Sequence, residues 1–280
     1  MKLHVLVDNN TLIDRYFIGE PGLSFLIEAQ GEKILFDTGY SDAFMINAKK
    51  MNIDLLDIDT VVISHNHLDH TWGLNYLIRL YTECRIEKIP FKKPALVTHP
   101  LSLVSRKIGS LPEIGPMLSC DRLERFFDLQ LSKTPADITD RLVFLGEIPR
   151  DNSFEAQKPM GTVMADGRET DDYLADDSAL VYKSAQGLVI ITGCSHAGIC
   201  NIAEYAKKVC NDSRIIEIIG GFHLLNTPEK QMRGTLDYMK KLNPGCVHAC
   251  HCTDLNAKIA LSEAVDLKEV GVGLCLEFAD

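Results

Sequence analysis

Residues 64–73 read Ser-His-Asn-His-Leu-Asp-His-Thr-Trp-Gly, and this segment constrains the chain more than any other. The four residues before it, Thr-Val-Val-Ile at 60–63, are apolar or β-branched and predict a buried strand. The apolar spacing of residues 74–78 favours an amphipathic helix after the segment. Three imidazoles and one carboxylate therefore lie on a short loop that leaves a strand and enters a helix.

The spacing of these four side chains suits metal binding. His65 and His67 are two residues apart in an extended segment, so both can point toward one cation. Asp69 and His70 are adjacent on the turn and could serve a second cation a few ångströms away. The alternative is a polar, solvated loop that happens to be rich in histidine. Four potential ligands within positions 65–70 favour the metal site.

The composition excludes several classes of function. The formal net charge of the 280 residues is −10 and there is no long basic run, which argues against a nucleic-acid partner. No apolar run approaches the ~18 residues of a membrane span, and the apolar part of the N-terminal segment is too short for a signal peptide. The nine cysteines are odd in number, form no CxxC pair and are interpreted as reduced, mostly buried thiols. We expect a cytoplasmic protein that acts on a small molecule, which could be anionic, with no membrane partner; the sequence does not indicate an oligomeric state.

Three predicted strands in the last third of the chain each deliver a histidine where a helix follows. The strand over 188–192 leads to His196, the strand over 214–219 leads to His223, and the strand over 245–250 leads to His251. Ligands gather at such strand ends in layered α/β proteins, because the strands hold side chains rigidly around a shared crevice. A lone histidine there is more often a hydrogen-bonded structural residue, but three together with the His65–His70 loop favour ligands. His196 and His251 are the strongest additions, and the role of His223 is less defined.

Other polar residues have less specific interpretations. Asp37 follows a predicted hairpin over 23–36 and is a helix N-cap, a partner that orients a metal-bound histidine, or both. His248 is interpreted as structural, His99 could reach the rim of the site, and His4 is a strand residue without function.

The middle of the chain, about 84–175, has a looser pattern than the two ends. It contains scattered prolines and glycines but no linker, so the chain is predicted to form a single domain, 1–280, in which this part is an elaboration that covers the site. Positive charge is concentrated here in Lys92, Lys93, Arg106, Lys107 and Arg150. Most of these side chains are expected to be solvated on the surface, and one or two could contact an anionic group of the substrate.

Together the Asp37-Thr38-Gly39 turn, the His-x-His-x-Asp-His loop and the later histidines resemble the metallo-β-lactamase superfamily over essentially the whole chain. This resemblance implies an α/β fold, a four-layer αββα sandwich, with two divalent metal ions at one edge of the sheets and a water or hydroxide between them. It implies that one metal is held by His65, His67 and His196, and the other by Asp69, His70 and His251. A histidine at position 67 favours Zn²⁺ over the diiron branch of the superfamily, although Mn²⁺ or Fe²⁺ also accept such ligands.

One departure from the superfamily pattern concerns the second metal. The superfamily usually places a bridging aspartate after the strand that here ends in Gly220-Gly221-Phe222-His223. The nearest aspartates, Asp212 and Asp237, lie before the strand and within the next helix, so His223 occupies the expected position. Without that carboxylate, either the second metal binds more weakly or His223 contacts the substrate.

Finer motifs resemble one branch, the archaeal dihydropteroate-synthase-type enzymes of methanopterin synthesis and their bacterial relatives, labelled metal-dependent hydrolases. The segments that carry this resemblance include 20–25, 146–150 with 154–155, 193–196, 220–223 and 251–253. It implies as one activity the condensation of a dihydropterin methyl diphosphate with release of diphosphate. Candidate substrate contacts are Arg150 and Lys107, which could neutralise diphosphate, and Glu147 and Phe154 of the motif.

Three functions follow from these residues. The first is a dinuclear hydrolase that uses a metal-bound hydroxide on a small ester-type or phosphorylated substrate, with Asp69 and His223 as catalytic groups. The second is a transferase of the pterin type, in which the metals hold the departing diphosphate. The third is a metal-stabilised sensor or binding protein, which would leave no coordination position open for water.

Overall fold

The computed structural model describes residues 1–165 and 167–279, which form two large β-sheets that face each other and one small sheet. The first large sheet has seven strands; in spatial order they are β16 (Cys275–Glu277), β1 (Lys2–Val7), β2 (Ser24–Ala29), β3 (Glu32–Phe36), β4 (Thr60–Val62), β5 (Ala95–Thr98) and β7 (Asp128–Leu131). Strands β1 to β3 are antiparallel, whereas β3, β4, β5 and β7 run parallel. The hairpin between β2 and β3 turns at Gln30 and Gly31, both with positive φ as a two-residue turn of this hand requires.

The second large sheet has six strands; in spatial order they are β15 (Cys246–Cys250), β14 (Ile215–Gly221), β13 (Leu188–Thr192), β12 (Ala179–Lys183), β9 (Leu142–Phe144) and β8 (Ala136–Asp137). Its strands β13, β14 and β15 are parallel. The small sheet contains β11 (Arg168–Asp171), β10 (Thr162–Ala165) and β6 (Arg106–Lys107). The continuous burial of β13 and β14 explains their runs of valine and isoleucine, because parallel strands covered on both faces lose the polar alternation.

Helices cover the outer faces of both large sheets. They are α1 (Ala43–Lys50) and α3 (Leu74–Glu87) on the first sheet, and α5 (Ile199–Cys210), α6 (Glu229–Leu242) and α7 (Leu255–Ser262) on the second. Two one-turn helices, α2 (Leu68–Thr71) and α4 (Cys120–Leu123), follow β4 and precede β7, respectively. No helix within residues 1–165 and 167–279 has the length and apolar character needed to cross a bilayer.

Three apolar clusters hold these layers together. The first lies between the two sheets and contains Phe25 and Phe36 of the first sheet together with Leu180 of the second. Another packs α1 and α3 on the outside of the seven-stranded sheet, and a third packs α5, α6 and α7 on the outside of the six-stranded sheet. The layer order is therefore helix, sheet, sheet, helix, which confirms the predicted αββα sandwich.

The region predicted to be an elaboration contributes to the main sheets as well as to the cover. Strands β5 and β7 extend the first sheet, and β8 and β9 extend the second. Only a small part of this region lies over the histidines. It consists of residues near Ile108 to Ile114 and of Met160.

Candidate metal centre

The parallel strands of both sheets end at one edge of the sandwich, and the predicted site residues follow these strand ends. Asp37 follows β3, and the histidine loop follows β4 in the first sheet. In the second sheet His196, His223 and His251 come after β13, β14 and β15, respectively. Residues 130 or more positions apart therefore meet at the edge where ligands collect in open α/β sheets.

Four non-glycine residues at these strand ends have left-handed backbone conformations. Asp37 has φ 55°, Ser195 has φ 59°, His223 has φ 47° and His251 has φ 50°. Such conformations are uncommon for side-chain-bearing residues and persist when surrounding contacts impose them. Two such contacts are the Ser195 hydroxyl, which donates to the Gly221 carbonyl oxygen at 2.6 Å, and the His251 amide, which donates to Asp8 Oδ1 at 2.8 Å. The chain turns sharply at each strand end and aims the side chain at the common edge.

His65, His67 and His196 form the first group of imidazoles, here called the first triad. Their ring centroids lie 4.7 Å (His65 to His67), 4.8 Å (His65 to His196) and 4.7 Å (His67 to His196) apart. The Nε2 atoms of all three, and Nδ1 of His196, are buried without a hydrogen-bond partner among the described residues. An unsatisfied buried polar nitrogen costs about 1–3 kcal/mol, so three convergent ones fit a cation that accepts their lone pairs.

The protonation of the first triad suits metal binding. Burial lowers the pKa of His67 to about 4 and lowers the pKa values of His65 and His196 well below the ordinary value, with neighbouring imidazoles adding to the effect in these two. All three rings are therefore neutral at pH 7 and present lone pairs. Ser64 Oγ lies 3.0 Å from Nδ1 of His65 and leaves Nε2 of that ring free.

Asp69, His70 and His251 form the second triad. Nε2 of His70 lies 3.2 Å from Nε2 of His251, and Asp69 Oδ2 lies 3.3 Å from the His251 Nε2 and 3.8 Å from the His70 Nε2. Nδ1 of His251 lies 3.0 Å from Oδ1 of Asn9, which orients the ring. One carboxylate oxygen and two imidazole nitrogens at these separations suit one divalent cation.

The second triad differs from the first in charge. Burial alone would lower the pKa of His70, but the carboxylates of Asp37 and Asp69 outweigh burial and raise it to about 9. Burial alone would raise the pKa of Asp69, but the His70 and His251 imidazoles hold it below its ordinary value. A cation at the second triad must therefore displace a proton from His70.

Asp37 holds His70 in place. Its Oδ2 lies 2.6 Å from Nδ1 of His70 and accepts from the Ser64 hydroxyl at 2.6 Å, while Oδ1 accepts from the Ser64 amide at 2.7 Å. The helix that follows Asp37 begins at Ala43 and its N-cap is Asp42, so the N-cap interpretation of Asp37 is wrong. A carboxylate on Nδ1 fixes the tautomer of the ring and leaves Nε2 for a metal.

Two of the buried cysteines, Cys194 and Cys252, lie in this cluster, and the sequence pattern did not single them out as site residues. Cys194 Sγ lies 3.2 Å from Nε2 of His70, and the Cys252 sulfur accepts a hydrogen bond from the amide of His223 at 3.2 Å. Both thiols are buried. The signal that could have found them is their position, because Cys194 and Cys252 lie directly in the strand-end segments that carry His196 and His251.

Glycines allow the strand ends to approach each other. A Cβ atom on Gly193 would lie 2.1 Å from Ser64 Oγ, and one on Gly221 would lie 2.6 Å from the Cys252 sulfur. Real side chains do not reach such distances, so the ends of β13 and β14 each require a glycine at the point of closest contact.

Arg106 is fully buried, whereas most of the five cationic side chains of the middle region were expected to be solvated. Its guanidinium forms ion pairs with Asp176 at 2.5 Å and Asp172 at 2.9 Å, and donates to Oδ1 of Asn66 at 2.8 Å. Asn66 stands between His65 and His67, and its amide also donates to Asp176. The buried arginine therefore fixes the loop that carries the first triad.

A cavity of about 540 Å³ opens over both triads. Its walls include His67, Asp69, His196, His223 and His251. The apolar part of the lining is formed by Pro21, Tyr40, Leu68, Ile108, Leu111, Ile114, Met160 and Leu225. Within the part of the chain that the structure describes, this lining contains no lysine or arginine.

His223 closes one side of the cavity. Its ring centroid lies 4.2 Å from that of His196, and its Nδ1 is buried without a partner among the residues described. Burial works against protonation, but the neighbouring Cys252 raises the pKa of this imidazole above its ordinary value.

The four candidate substrate contacts are not all brought to this cavity. Arg150 donates from Nη2 to the Leu174 carbonyl oxygen at 2.7 Å, and Lys107 forms an exposed ion pair with Glu169 at 3.3 Å. Glu147 lies 3.5 Å from Nε2 of His99, away from the lining. Phe154 lies in an adjoining groove that shares His196 and His223 with the cavity. The structure thus places Arg150, Lys107 and Glu147 outside the cavity wall, and their contact with substrate stays a prediction.

The other histidines lie apart from the metal centre. Nδ1 of His248 lies 2.5 Å from Oε1 of Glu217, and His4 lies 3.3 Å from Oε1 of Glu28. His99 accepts a hydrogen bond from the Leu101 amide at 3.1 Å and does not line the cavity.

Comparison with known proteins agrees with this geometry. The sequence profile of the metallo-β-lactamase superfamily matches residues 18–140. A Methanocaldococcus jannaschii protein named 7,8-dihydropterin-6-methyl-4-(β-D-ribofuranosyl)-aminobenzene-5′-phosphate synthase is 29% identical over 99% of this chain and 97% of its own length. An uncharacterized protein of the same archaeon is 30% identical over 93% of this chain and 94% of its length. The crystal structure of Tm1679, described as a metal-dependent hydrolase of the β-lactamase superfamily, is 29% identical and aligns over 100% of both chains with a TM-score of 0.84.

Proposed function

The chain belongs to the metallo-β-lactamase superfamily, and we propose that it is a hydrolase that uses two divalent cations on a small ester, thioester or lactone with an apolar body. The lining of the cavity is the observation that supports this class of substrate. Apolar side chains surround the triads, and no cation among the described lining residues is placed to neutralise a phosphate. A pocket with an apolar wall and a few convergent polar groups selects a ligand of the same character.

The two triads would hold the cations. His65, His67 and His196 would bind one, and Asp69, His70 and His251 the other. Zn²⁺ fits these imidazole-rich donors, and Mn²⁺ or Fe²⁺ would fit the mixed nitrogen and oxygen ligands of the second triad. When bound, two such cations polarise the substrate oxygen and lower the pKa of a coordinated water toward ~7.

The residues around the cations supply binding, orientation and proton transfer. Asp69, ionised and partly open to the cavity, can accept a proton from the attacking water. Asp37 holds His70 in the tautomer that binds metal. His223, which also lines the cavity, would donate a proton to the leaving group.

The test is hydrolysis by the zinc-loaded protein of thioesters and lactones with acyl chains of increasing length, compared with phosphodiesters. Each methylene that enters the cavity contributes about 0.8 kcal/mol, so kcat/KM should rise up to roughly fourfold per methylene until the cavity is full. Leu111→Glu, on the cavity wall, should abolish the dependence on chain length. Leu255→Glu, an equally drastic change on the exposed side of α7, should leave the dependence intact. Hydrolysis of phosphodiesters alone would refute the assignment of substrate.

A transferase of the pterin type is the second candidate, and two observations favour it. The first is the near full-length similarity to the archaeal synthase. The second is the adjoining groove of about 460 Å³, which reaches from His196 and His223 to Lys158 and Lys230 and could bind a phosphate on a longer substrate. The test is to incubate the protein with a dihydropterin methyl diphosphate and an aminobenzene ribosyl phosphate and to measure release of diphosphate from the first. Release that is weakened in the double variant Lys158→Ala, Lys230→Ala would establish this alternative.

A cytoplasmic location is part of the same proposal. The free, closely spaced thiols of Cys194 and Cys252 are compatible with a reducing compartment.

A further inference from the structure

The thiol of Cys194 lies between the two triads. On one side, Sγ and the ring nitrogens of His65 and His196 lie within 4.8 Å of one another. On the other side, the same Sγ and the ring nitrogens of His70 and His251 also lie within 4.8 Å of one another. Cys194 is therefore the side chain shared by both groups.

The surroundings of Cys194 indicate a ligand more than a core thiol. The Nε2 atoms of His65 and His196, two of its neighbours, are buried and have no hydrogen-bond partner among the residues described. A cation that satisfies these nitrogens would lie beside the thiol, because Sγ and the ligand nitrogens of His65 and His196 lie within 4.8 Å of one another. Cys194 is also held rigidly, since it follows Gly193, which packs directly on Ser64.

We propose that Cys194 binds as a thiolate between the two metal ions and is a ligand common to both triads. The inference rests on the two-cation centre proposed above. Its chemical reason is charge: five neutral imidazoles and Asp69 bring one negative charge toward two divalent cations, and a thiolate adds a second at the point between them. Thiolate is a preferred ligand of Zn²⁺, and the proton of the thiol passes to solvent when the metals bind.

Cobalt spectroscopy tests this directly. In the chain loaded with Co²⁺, a bound thiolate gives a sulfur-to-cobalt charge-transfer absorption in the near ultraviolet, whereas imidazole and carboxylate ligands do not. The wild-type protein should show this band with two ions per chain. The Cys194→Ser variant should lack the band and should bind the ion at the second triad at least about tenfold more weakly.

Two control variants make the assignment specific. Cys84→Ala removes a buried thiol on α3, far from the histidines, and should keep the band. Cys252→Ser removes the other thiol of the strand-end cluster and should also keep it. If the Cys194 variants do not fold, mass spectrometry of the wild-type protein after iodoacetamide treatment replaces them. Bound metal should protect Cys194 from alkylation, and removal of the metal should permit alkylation through the cavity that Cys194 lines, whereas equal alkylation with and without metal would overturn its role as a ligand.

The outcomes separate this inference from the function on which it rests. Two bound Co²⁺ ions without a charge-transfer band, or a band lost in Cys252→Ser and kept in Cys194→Ser, would overturn the role of Cys194 and leave the two-cation centre standing. A wild-type chain that binds fewer than two ions would instead contradict the two-cation centre itself.

Discussion

Replacement of Arg106 by methionine should destabilise the protein strongly, because it leaves two buried carboxylates without their cation. The Arg106 side chain is fully buried, as are its partners Asp176 and, almost completely, Asp172. Removal of one partner of such a buried ion pair costs about 3–5 kcal/mol. For a chain of this size about 4 kcal/mol corresponds to a fall in Tm of roughly 8–16 °C.

Differential scanning calorimetry of the metal-loaded protein at pH 7 measures this change. The matched control is Arg233→Met, the same substitution at an exposed arginine that pairs with Glu229 on the surface of α6. A pair of that kind contributes about 0–1 kcal/mol, so the Tm should change by no more than roughly 4 °C. Adding Asp176→Asn to Arg106→Met should recover part of the lost stability, since it removes one of the uncompensated charges.

Arg106→Met should also weaken metal binding by the first triad. Arg106 donates to Asn66, which stands between His65 and His67, so Arg106→Met should raise the dissociation constant of the first ion even well below its Tm. An Arg106→Met protein that melts within 3 °C of the wild type, with unchanged metal affinity, would refute the reasoning about this network.

Three further predictions concern the metal centre. Asp37→Asn should weaken binding of the ion at the second triad about 10–100-fold, because the carboxylate that holds Nδ1 of His70 is lost; competition with a chelator measures this affinity. Since the pKa of His70 is raised to about 9 and that of His67 is lowered to about 4, lowering the pH from 8 to 6 should weaken binding of the ion at the second triad at least roughly 100-fold, because binding displaces the His70 proton and the proton of the Cys194 thiol adds to the effect. The ion at the first triad should be weakened less, and equal pH dependence of both ions would contradict the assignment. Gly193→Ala should lower Tm through the contact of its Cβ with Ser64 Oγ at 2.1 Å, and a normal Tm would show that the strand ends can separate without cost.

The sequence predicted the parts of the fold that depend on local pattern. The strand, loop and helix around His65 to His70 follow from short-range hydrophobic periodicity, and the four layers follow from the family resemblance that contiguous motifs carry. His196 and His251 were singled out because each ends a long apolar strand. The structure brings both to the loop, a placement that needed only the rule that parallel strands end at one edge.

The surroundings of Arg106 and Cys194 could not be predicted, because contacts between distant segments create them. Arg106 stands next to Lys107 in a charged stretch, and only its partners 66 and 70 positions away in the chain explain why it is buried. Cys194 resembles the other buried cysteines until His70 and His251 are placed beside it. No periodicity or spacing records such pairings, so the sequence pattern singled out neither the burial of the arginine nor the position of the thiol.

Chemistry and specificity come from different parts of this chain. The groups that would bind metal follow the strands of the two large sheets, where the backbone is held by the core. Ile108, Leu111 and Ile114, which form much of the apolar wall, come instead from the loosely patterned middle region. Loops vary more readily than the strands that support them, so a change in this wall alters the substrate without disturbing the triads. This chain is 29% identical both to a protein named as a synthase and to one described as a hydrolase. Under the proposed function, we therefore expect substitutions in the apolar wall to change the preferred substrate more than they change metal binding.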